Sequence, residues 1–357
     1  MTKPIARDQV KGFLDQIAGA KVPGLQYVAV TADHVLFDYA GGWADIRGQK
    51  AMTRATTLMA YSMTKTFTAV GVLQLVENGQ LGIDDAVARY LPDQPYGQAI
   101  TVRQLIDHTS GIPNPIPLRW VHLVEEDGEY DEAAALRAVL RQYPKLAFAP
   151  GEKYAYSNIG YWLLGQIIAA VTGQRDVDYL RANVLNRLAL DPAALDFVIH
   201  DPARHANGYL AKYSLINLLK GVFTDRKLWG GYEGSWLRLK SHYLNGPAFG
   251  GLVGSAHAFG RFLQDQLRAD SVLLRRETKE LLESQQRTNA GQPIPMSLGW
   301  HIGASNGVRY FFKEGGGGGF HCEMRLYPAQ GLGAVVMGNS TASFTTDLLH
   351  QLDPAFF

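Results

Sequence analysis

Phe67, Ala69, Val70, Val72, Leu73, Leu75 and Val76 make the segment from Ser62 to Asn78 apolar nearly all round. Its composition reads as strongly helical, and Gly79 stands just past its end as a C′ residue. A helix without a polar face has to be buried. The rest of the chain must therefore be read as what covers it. With 357 residues and 46% hydrophobic content there is ample apolar material. The length fits about two domains, or one domain with a large insertion.

The covering elements are legible at both ends of the chain. The start, MTKPIARDQVKGFLDQIAGA, reads as an amphipathic helix with Val10, Phe13, Leu14 and Ile17 on one face. Leu25 to Val30 and Val35 to Tyr39 flank the turn Thr31-Ala32-Asp33-His34 as a hairpin, and Thr56 to Ala60 is a further strand-like run. In the final third, Leu298–Ile302, Val308–Lys313, His321–Tyr327 and Leu332–Gly338 are short runs parted by Gly, Asn and Pro, as in an antiparallel sheet. A closing helix follows from about Thr345 to Leu352. From about Asp84 to Leu282 the reading is mostly helical, with long loops such as Ile112–Leu118 and Trp229–Gly251. Strands at both ends and helices between them predict an α+β fold. Residues 1–82 and 290–357 form one α/β region on an antiparallel sheet flanked by helices, and 83–289 form a mainly helical region. The active site is expected in the cleft between the two.

Charge and cysteine content remove several function classes. Lys and Arg number 34 against 33 Asp and Glu, a net charge of +1, so the positive field used for nucleic-acid binding is missing. Cys322 is the single cysteine, which excludes an internal disulfide framework and a Cys-rich zinc site. The ten histidines include no His-Glu-x-x-His, so no metal and no cofactor is expected. The N-terminus lacks the apolar core of a secretory signal, and Ile159–Val171 is too short to span a bilayer. The expectation is a cytoplasmic protein without a membrane span. No oligomeric state is read from the sequence.

Three motifs carry chemistry. Ser62 and Lys65 sit at i and i+3, one face of a helix start, where the amine can reach the hydroxyl. The helix N-terminus adds free N–H groups and the positive end of a dipole, which suit an alkoxide and an oxyanion. To accept a proton the amine must be neutral. That requires its pKa to fall by about 3 units, roughly 4 kcal/mol, from burial or a nearby cation. Tyr156-Ser157-Asn158 supplies a phenol able to relay a proton and an amide able to orient a lysine, although read alone it is a turn before an apolar helix. Lys313-Glu314-Gly315-Gly316-Gly317-Gly318-Gly319 precedes a strand and has no Gly-Lys-Ser/Thr, so it is no phosphate loop. It reads as a strand passing very close to a ligand. No Gly-x-Ser-x-Gly occurs, which counts against the α/β-hydrolase fold.

Together, Ser-x-x-Lys near residue 60, Tyr-x-Asn about 95 later and Lys-x-Gly about 155 beyond resemble the penicillin-recognising serine hydrolases. That superfamily holds class C β-lactamases, D-alanyl-D-alanine peptidases and β-lactamase-like (family VIII) carboxylesterases. Leu105-Ile106-Asp107-His108-Thr109-Ser110-Gly111, Pro150–Gly165, Gly250-Gly251-Leu252-Val253 and Leu298-Gly299-Trp300 extend the resemblance over roughly residues 20 to 340. It implies Ser62 as the acylated nucleophile and Lys65 and Tyr156 as sharing base and acid duty. It also implies that Asn158 and Lys313 hold the network, and that the substrate lies along Gly315 and Gly316. The oxyanion would sit between the N–H groups of Ser62 and Gly316.

The choice of substrate turns on Glu314, where the family commonly has threonine. That strand helps these enzymes bind a substrate carboxylate, and a glutamate facing the site would oppose one. Together with the missing signal, this favours an esterase acting on small neutral esters. A β-lactamase, a peptidase and an acyltransferase use the same machinery, and a penicillin sensor that is acylated once and held is the non-catalytic alternative. Trp120, Trp229, Tyr232, Trp236 and Tyr243 either line the cleft or belong to the helical-region core. His108 reads as a structural turn residue, His200, His205 and His257 as solvated or locally satisfied, and His321 and Cys322 as packing beside the glycine-rich strand.

Overall fold

The first and last parts of the chain meet in one antiparallel sheet. Its strands are β1 (Gly24–Val30), β2 (Val35–Asp45), β3 (Lys50–Ala51), β4 (His301–Ser305), β5 (Val308–Gly317), β6 (Phe320–Tyr327) and β7 (Leu332–Gly338). Their spatial order is β4-β5-β6-β7-β1-β2-β3. This is a computed structural model, and it describes residues 5–115, 119–218, 220–223, 225–341 and 344–357. Residues 1–4 of the predicted N-terminal segment and 116–118 of the predicted Ile112–Leu118 loop lie outside the described residues.

The helices that position the site are α1 (Val10–Ile17), α2 (Thr64–Glu77), α3 (Asn158–Thr172), α4 (Ala256–Leu267) and α5 (Thr345–Leu352). β1 and β7 are neighbours, with Leu25 opposite Gly338 and Val30 opposite Gly333. All seven residues of each are buried, because helices cover both faces. Strand alternation sends Leu25, Tyr27 and Ala29 to a cluster with Val10, Leu14, Leu349 and Leu352. Val28 and Val30 join the other cluster, with Phe67, Phe259 and Phe262.

α2 is the fully covered helix that its composition demands, buried at every position from Thr64 to Leu75. Its threonines replace lost water with protein partners. Thr64 Oγ1 accepts from Leu252 N at 3.0 Å, while Thr66 and Thr68 donate to Gly299 O at 3.0 Å and Ala248 O at 2.7 Å. Phe67 stacks on Phe262 with ring centroids 3.9 Å apart. Gly79 takes φ +67° where the helix stops. α3 starts one turn before the apolar run. Ser157 caps it by accepting from Gly160 N at 3.1 Å, and so Asn158 falls in the first turn.

Two sequence expectations need correction. The stretch Trp229–Gly251 is not a long loop, since it holds strands Trp229–Glu233, Trp236–Leu239 and His242–Leu244 and the short helix Pro247–Gly250. These runs of three to five residues are parted by two-residue turns, too short to show a period. The strand expected over Leu298–Ile302 begins only at His301, after Gly299 at φ +106°. Among the described residues, no helix is long and apolar enough to cross a membrane.

On the α5 side of the sheet lies a fully buried ion pair. Arg325 Nε donates to Glu323 Oε1 at 2.6 Å, and Thr346 Oγ1 donates to Glu323 Oε2 at 2.7 Å. Asp353, whose carboxyl is pushed up to about 7 by burial, lies 3.9 Å from the same guanidinium. Removing one partner of such a pair leaves an uncompensated buried charge. Arg325→Met is expected to lower unfolding stability by about 3–5 kcal/mol in urea titrations. A loss under 1 kcal/mol would show that the pair contributes little.

Candidate active site

Ser62 lies in a 3₁₀ turn, Tyr61–Met63, that runs directly into α2. Tyr61 takes φ +45°, a left-handed conformation that costs a non-glycine residue about 1–2 kcal/mol. Its hydroxyl is anchored by Gly318 O at 2.9 Å and lies 3.1 Å from His242 Nε2. The strained turn leaves Ser62 half-buried while its neighbours are buried.

Lys65, one turn on, is fully buried. Its Nζ lies 2.7 Å from Asn158 Oδ1, 2.6 Å from Phe249 O and 3.0 Å from Ser62 Oγ. The first two oxygens can only accept, so they take two N–H bonds of the amine. The third position, a lone pair in the neutral amine, faces the serine hydroxyl. Burial, and next the nearby Lys313 amine, hold the Lys65 pKa well below its ordinary value. Tyr156 OH donates to Ser62 Oγ at 2.7 Å. Burial raises the phenol pKa, so Tyr156 keeps its proton. The electrostatics thus favour an amine able to take up a proton and a phenol that retains its own.

Lys313 projects from β5 into the same aromatic box, its Nζ 5.5 Å from the Tyr156 ring centre and 5.7 Å from that of Tyr161. It is fully buried with no hydrogen-bond partner among the described residues, and burial brings its pKa down to about 7. Gly315 follows on the same face. A β-carbon there would stand 2.1 Å from Ala60 O and 3.0 Å from Ser62 N, so only glycine lets β5 approach Ser62 this closely. Ser62 and Gly316 open onto one cavity of about 200 Å³, lined also by Tyr61, Val121, Leu228, Leu244 and Phe249. β4 pairs with Val308 to Phe312 only, which leaves Lys313 to Gly317 bounded by a strand on the β6 side alone.

The structure therefore brings Ser62, Lys65, Tyr156, Asn158, Lys313, Gly315 and Gly316 together. It also shows what the sequence reading missed. Asn114 Oδ1 accepts from both Asn158 N and Asn158 Nδ2 at 3.0 Å, which fixes the amide so that its oxygen meets Lys65. His301 stacks on Tyr156 with centroids 6.2 Å apart and lies 3.1 Å from Tyr154 OH. His108 is a turn residue at φ +62° whose Nδ1 accepts from Ser157 N, and its ring packs 4.3 Å from that of Tyr156. Burial, then Lys313, drives both imidazoles well below their ordinary pKa, so neither adds charge. None of the five aromatics proposed for the cleft lines the cavity. Val121 and Leu244, next to Trp120 and Tyr243, do so instead, because adjacent residues of a strand face opposite ways. Glu314 bonds His321 at 2.6 Å on the face of β5 away from Lys313. Cys322 is buried, donating to Ala60 O at 3.1 Å, with its thiol pKa raised by burial. No group of three His, Cys, Asp or Glu suited to a metal occurs among the described residues.

The Beta-lactamase family profile matches residues 10–352. The chain belongs to the β-lactamase family. Among curated relatives of this β-lactamase family member, protein flp of Staphylococcus aureus strain MW2 is 26% identical over 342 residues, covering 93% of this chain. The chain spans only about three fifths of the length of the curated relatives it matches. Among solved structures, the D-amino acid amidase of Ochrobactrum anthropi SV3 superposes with a TM-score of 0.81 at 20% identity over 98% of both chains. A penicillin-binding protein from Bacillus halodurans gives 0.75 at 20% identity over the whole of both chains. These two likenesses bear on the fold.

A base that must be neutral makes the acid limb of kcat/KM a direct readout. Activity should rise with pH through a Lys65 pKa far below that of free lysine. In Lys313→Met, the loss of the neighbouring amine should shift this limb to higher pH. Lys65→Arg, whose guanidinium stays charged, should lose about 10²–10⁴-fold in kcat. An unmoved limb in Lys313→Met would remove the coupling of the two amines. Gly315→Ala should cost at least about 10²-fold in kcat, the scale of a lost oxyanion donor; wild-type turnover in this variant would show that β5 can stand off from Ser62.

Proposed function

We propose that this protein hydrolyses small carboxylic esters with uncharged acyl groups through an acyl-enzyme on Ser62. The observation that carries the reading is the cavity beside Ser62. Among the described residues its lining of Tyr61, Val121, Tyr156, Asn158, Leu228, His242, Leu244, Phe249 and glycine backbone holds no Arg, Lys, Asp or Glu. Such a wall favours an apolar acyl chain and offers no cation to a carboxylate.

In the proposed course, Lys65 takes the Ser62 proton as the oxygen attacks the carbonyl. The N–H groups of Ser62 and Gly316 hold the oxyanion, each donor contributing about 3 kcal/mol in sites of this kind. Tyr156 passes its proton to the departing alcohol and recovers one through Lys65. Asn158 and Lys313 keep the amine placed and its proton weakly held. Water then enters where the alcohol left, and the same groups run in reverse. The proposal sets this site in the cleft between the α/β region (1–82 and 290–357) and the helical region (83–289).

Amide hydrolysis is the second reading. It draws on the D-amino acid amidase among the structural neighbours and on the open edge from Lys313 to Gly317, which can hydrogen-bond an amide-containing substrate as an added strand.

Rates on p-nitrophenyl butyrate, D-phenylalanine p-nitroanilide and a chromogenic cephalosporin, with Ser62→Ala as blank, test the choice. The expected result is ester cleavage faster than either other substrate by at least about tenfold in kcat/KM, abolished in Ser62→Ala. Faster anilide or cephalosporin turnover would overturn the ester reading. A stoichiometric acyl adduct persisting for hours would overturn catalysis.

A further inference from the structure

The most exposed large apolar side chains among the described residues stand together in a six-residue stretch. Tyr213 is 87% exposed, Leu215 69% and Leu218 79%. Leucines exposed singly are ordinary, but a cluster of this kind marks a surface that meets something apolar. Leu215 and Leu218 lie on the short helix Leu215–Leu218, and Tyr232 of the strand Trp229–Glu233 stands beside it, with its hydroxyl 3.3 Å from Asn217 Oδ1. Tyr213, Leu215, Leu218 and Tyr232 line one open groove of about 530 Å³.

Cations frame this face. Lys212 Nζ lies 5.6 Å from the Tyr213 ring centre and 5.7 Å from that of Tyr232, while Lys220 Nζ and Arg226 Cζ lie 5.2 and 5.9 Å from the Trp229 ring. From Lys212 to Lys240 the chain holds six Lys or Arg and two carboxylates, a net +4, where the whole chain carries +1. Glu233 is buried against Arg47 and Arg238, Lys227 is paired with Glu126, and Asp225 is exposed. The groove itself is therefore cationic as well as apolar. Leucines flanked by Tyr, Trp, Lys and Arg suit a lipid–water boundary. The leucines enter the apolar margin, the rings sit at headgroup depth, and the long basic side chains reach back to the phosphates.

We propose that this face docks the protein on the surface of an anionic lipid bilayer, with Tyr213, Leu215 and Leu218 entering the headgroup layer. A second copy of the chain fits less well. A two-fold contact sets the face against itself and brings its cations together, whereas anionic headgroups accept the leucines and the cations at once. The face is also tied to the site. Tyr209 N donates to Gly319 O at 3.1 Å, which fastens the small sheet that carries Tyr232 to the turn after β5. Leu228, next to Trp229, lines the cavity beside Ser62. A docked molecule thus holds that cavity close to the lipid, and the docking does not depend on which bond is cleaved there.

Co-sedimentation of the full chain with sucrose-loaded vesicles tests the docking. Vesicles of phosphatidylcholine with about 30 mol% phosphatidylglycerol should bind at least about tenfold more tightly than phosphatidylcholine alone, and the difference should shrink between about 50 and about 500 mM NaCl as screening grows. Leu215→Ser with Leu218→Ser should weaken binding to the anionic vesicles by at least about tenfold. Lys212→Gln with Arg226→Gln should bring it close to the phosphatidylcholine level. All four side chains are exposed, so the urea midpoints of both variants should stay at the wild-type value. A wild type without preference for anionic vesicles would overturn the proposal, and so would undiminished binding by the leucine variant. A dimer in light scattering that the leucine variant dissolves, with no vesicle binding by the wild type, would overturn it in favour of a second copy.

Discussion

Lys65 sits in the first turn of a helix with no exposed face, and that position strips its amine of water. Its Nζ meets three oxygens, Asn158 Oδ1, Phe249 O and Ser62 Oγ, and burial beside Lys313 favours the neutral amine over the ammonium. Much else follows from keeping that amine dry. Thr64, Thr66 and Thr68 tie the buried helix to three other segments, the Tyr156 and Tyr161 rings and Phe249 enclose the amine, and Lys313 disfavours its protonation. Stability of the fold and readiness of the base are thus achieved by the same packing.

The parts of this design that depend on short sequence spacings could be read before any coordinates. Ser62 and Lys65 are three residues apart on one helix, and Tyr156 and Asn158 are fixed relative to each other by the cap at Ser157. The glycines from 315 to 319 announced a close backbone approach, and Gly315 is where a side chain would strike Ala60 O. The antiparallel strands at both ends were legible as short apolar runs parted by Gly, Asn and Pro, although β1, β6 and β7 are buried on both faces. What could not be read depends on tertiary placement. Asn114 reaches Asn158 across 44 residues and His301 meets Tyr154 across 147, with no local pattern to mark either. Of the two readings left open for Trp120 and Tyr243, the core reading holds, while Val121 and Leu244 beside them line the cavity. The orientation of Glu314 is likewise tertiary, because its face is defined only once Lys313 is known to point inward.

Placing Glu314 outward changes the meaning of that residue. A carboxylate among the catalytic amines would have neutralised Lys313 and raised the proton affinity of Lys65. On the other face of the strand it is bonded by His321, while Arg325 pairs with the neighbouring Glu323.

The seam between β1 and β7 has a consequence for how the molecule comes into being. Ser62 is synthesised early, yet β5, which passes beside it, and β7, which pairs with β1, come from residues 308–338. A nascent chain emerging from the ribosome carries the serine and its lysine for more than two hundred residues without the surface that would make them reactive. Contacts this distant in sequence form slowly and late. The pocket beside Ser62 is therefore complete only after the whole sheet has been translated.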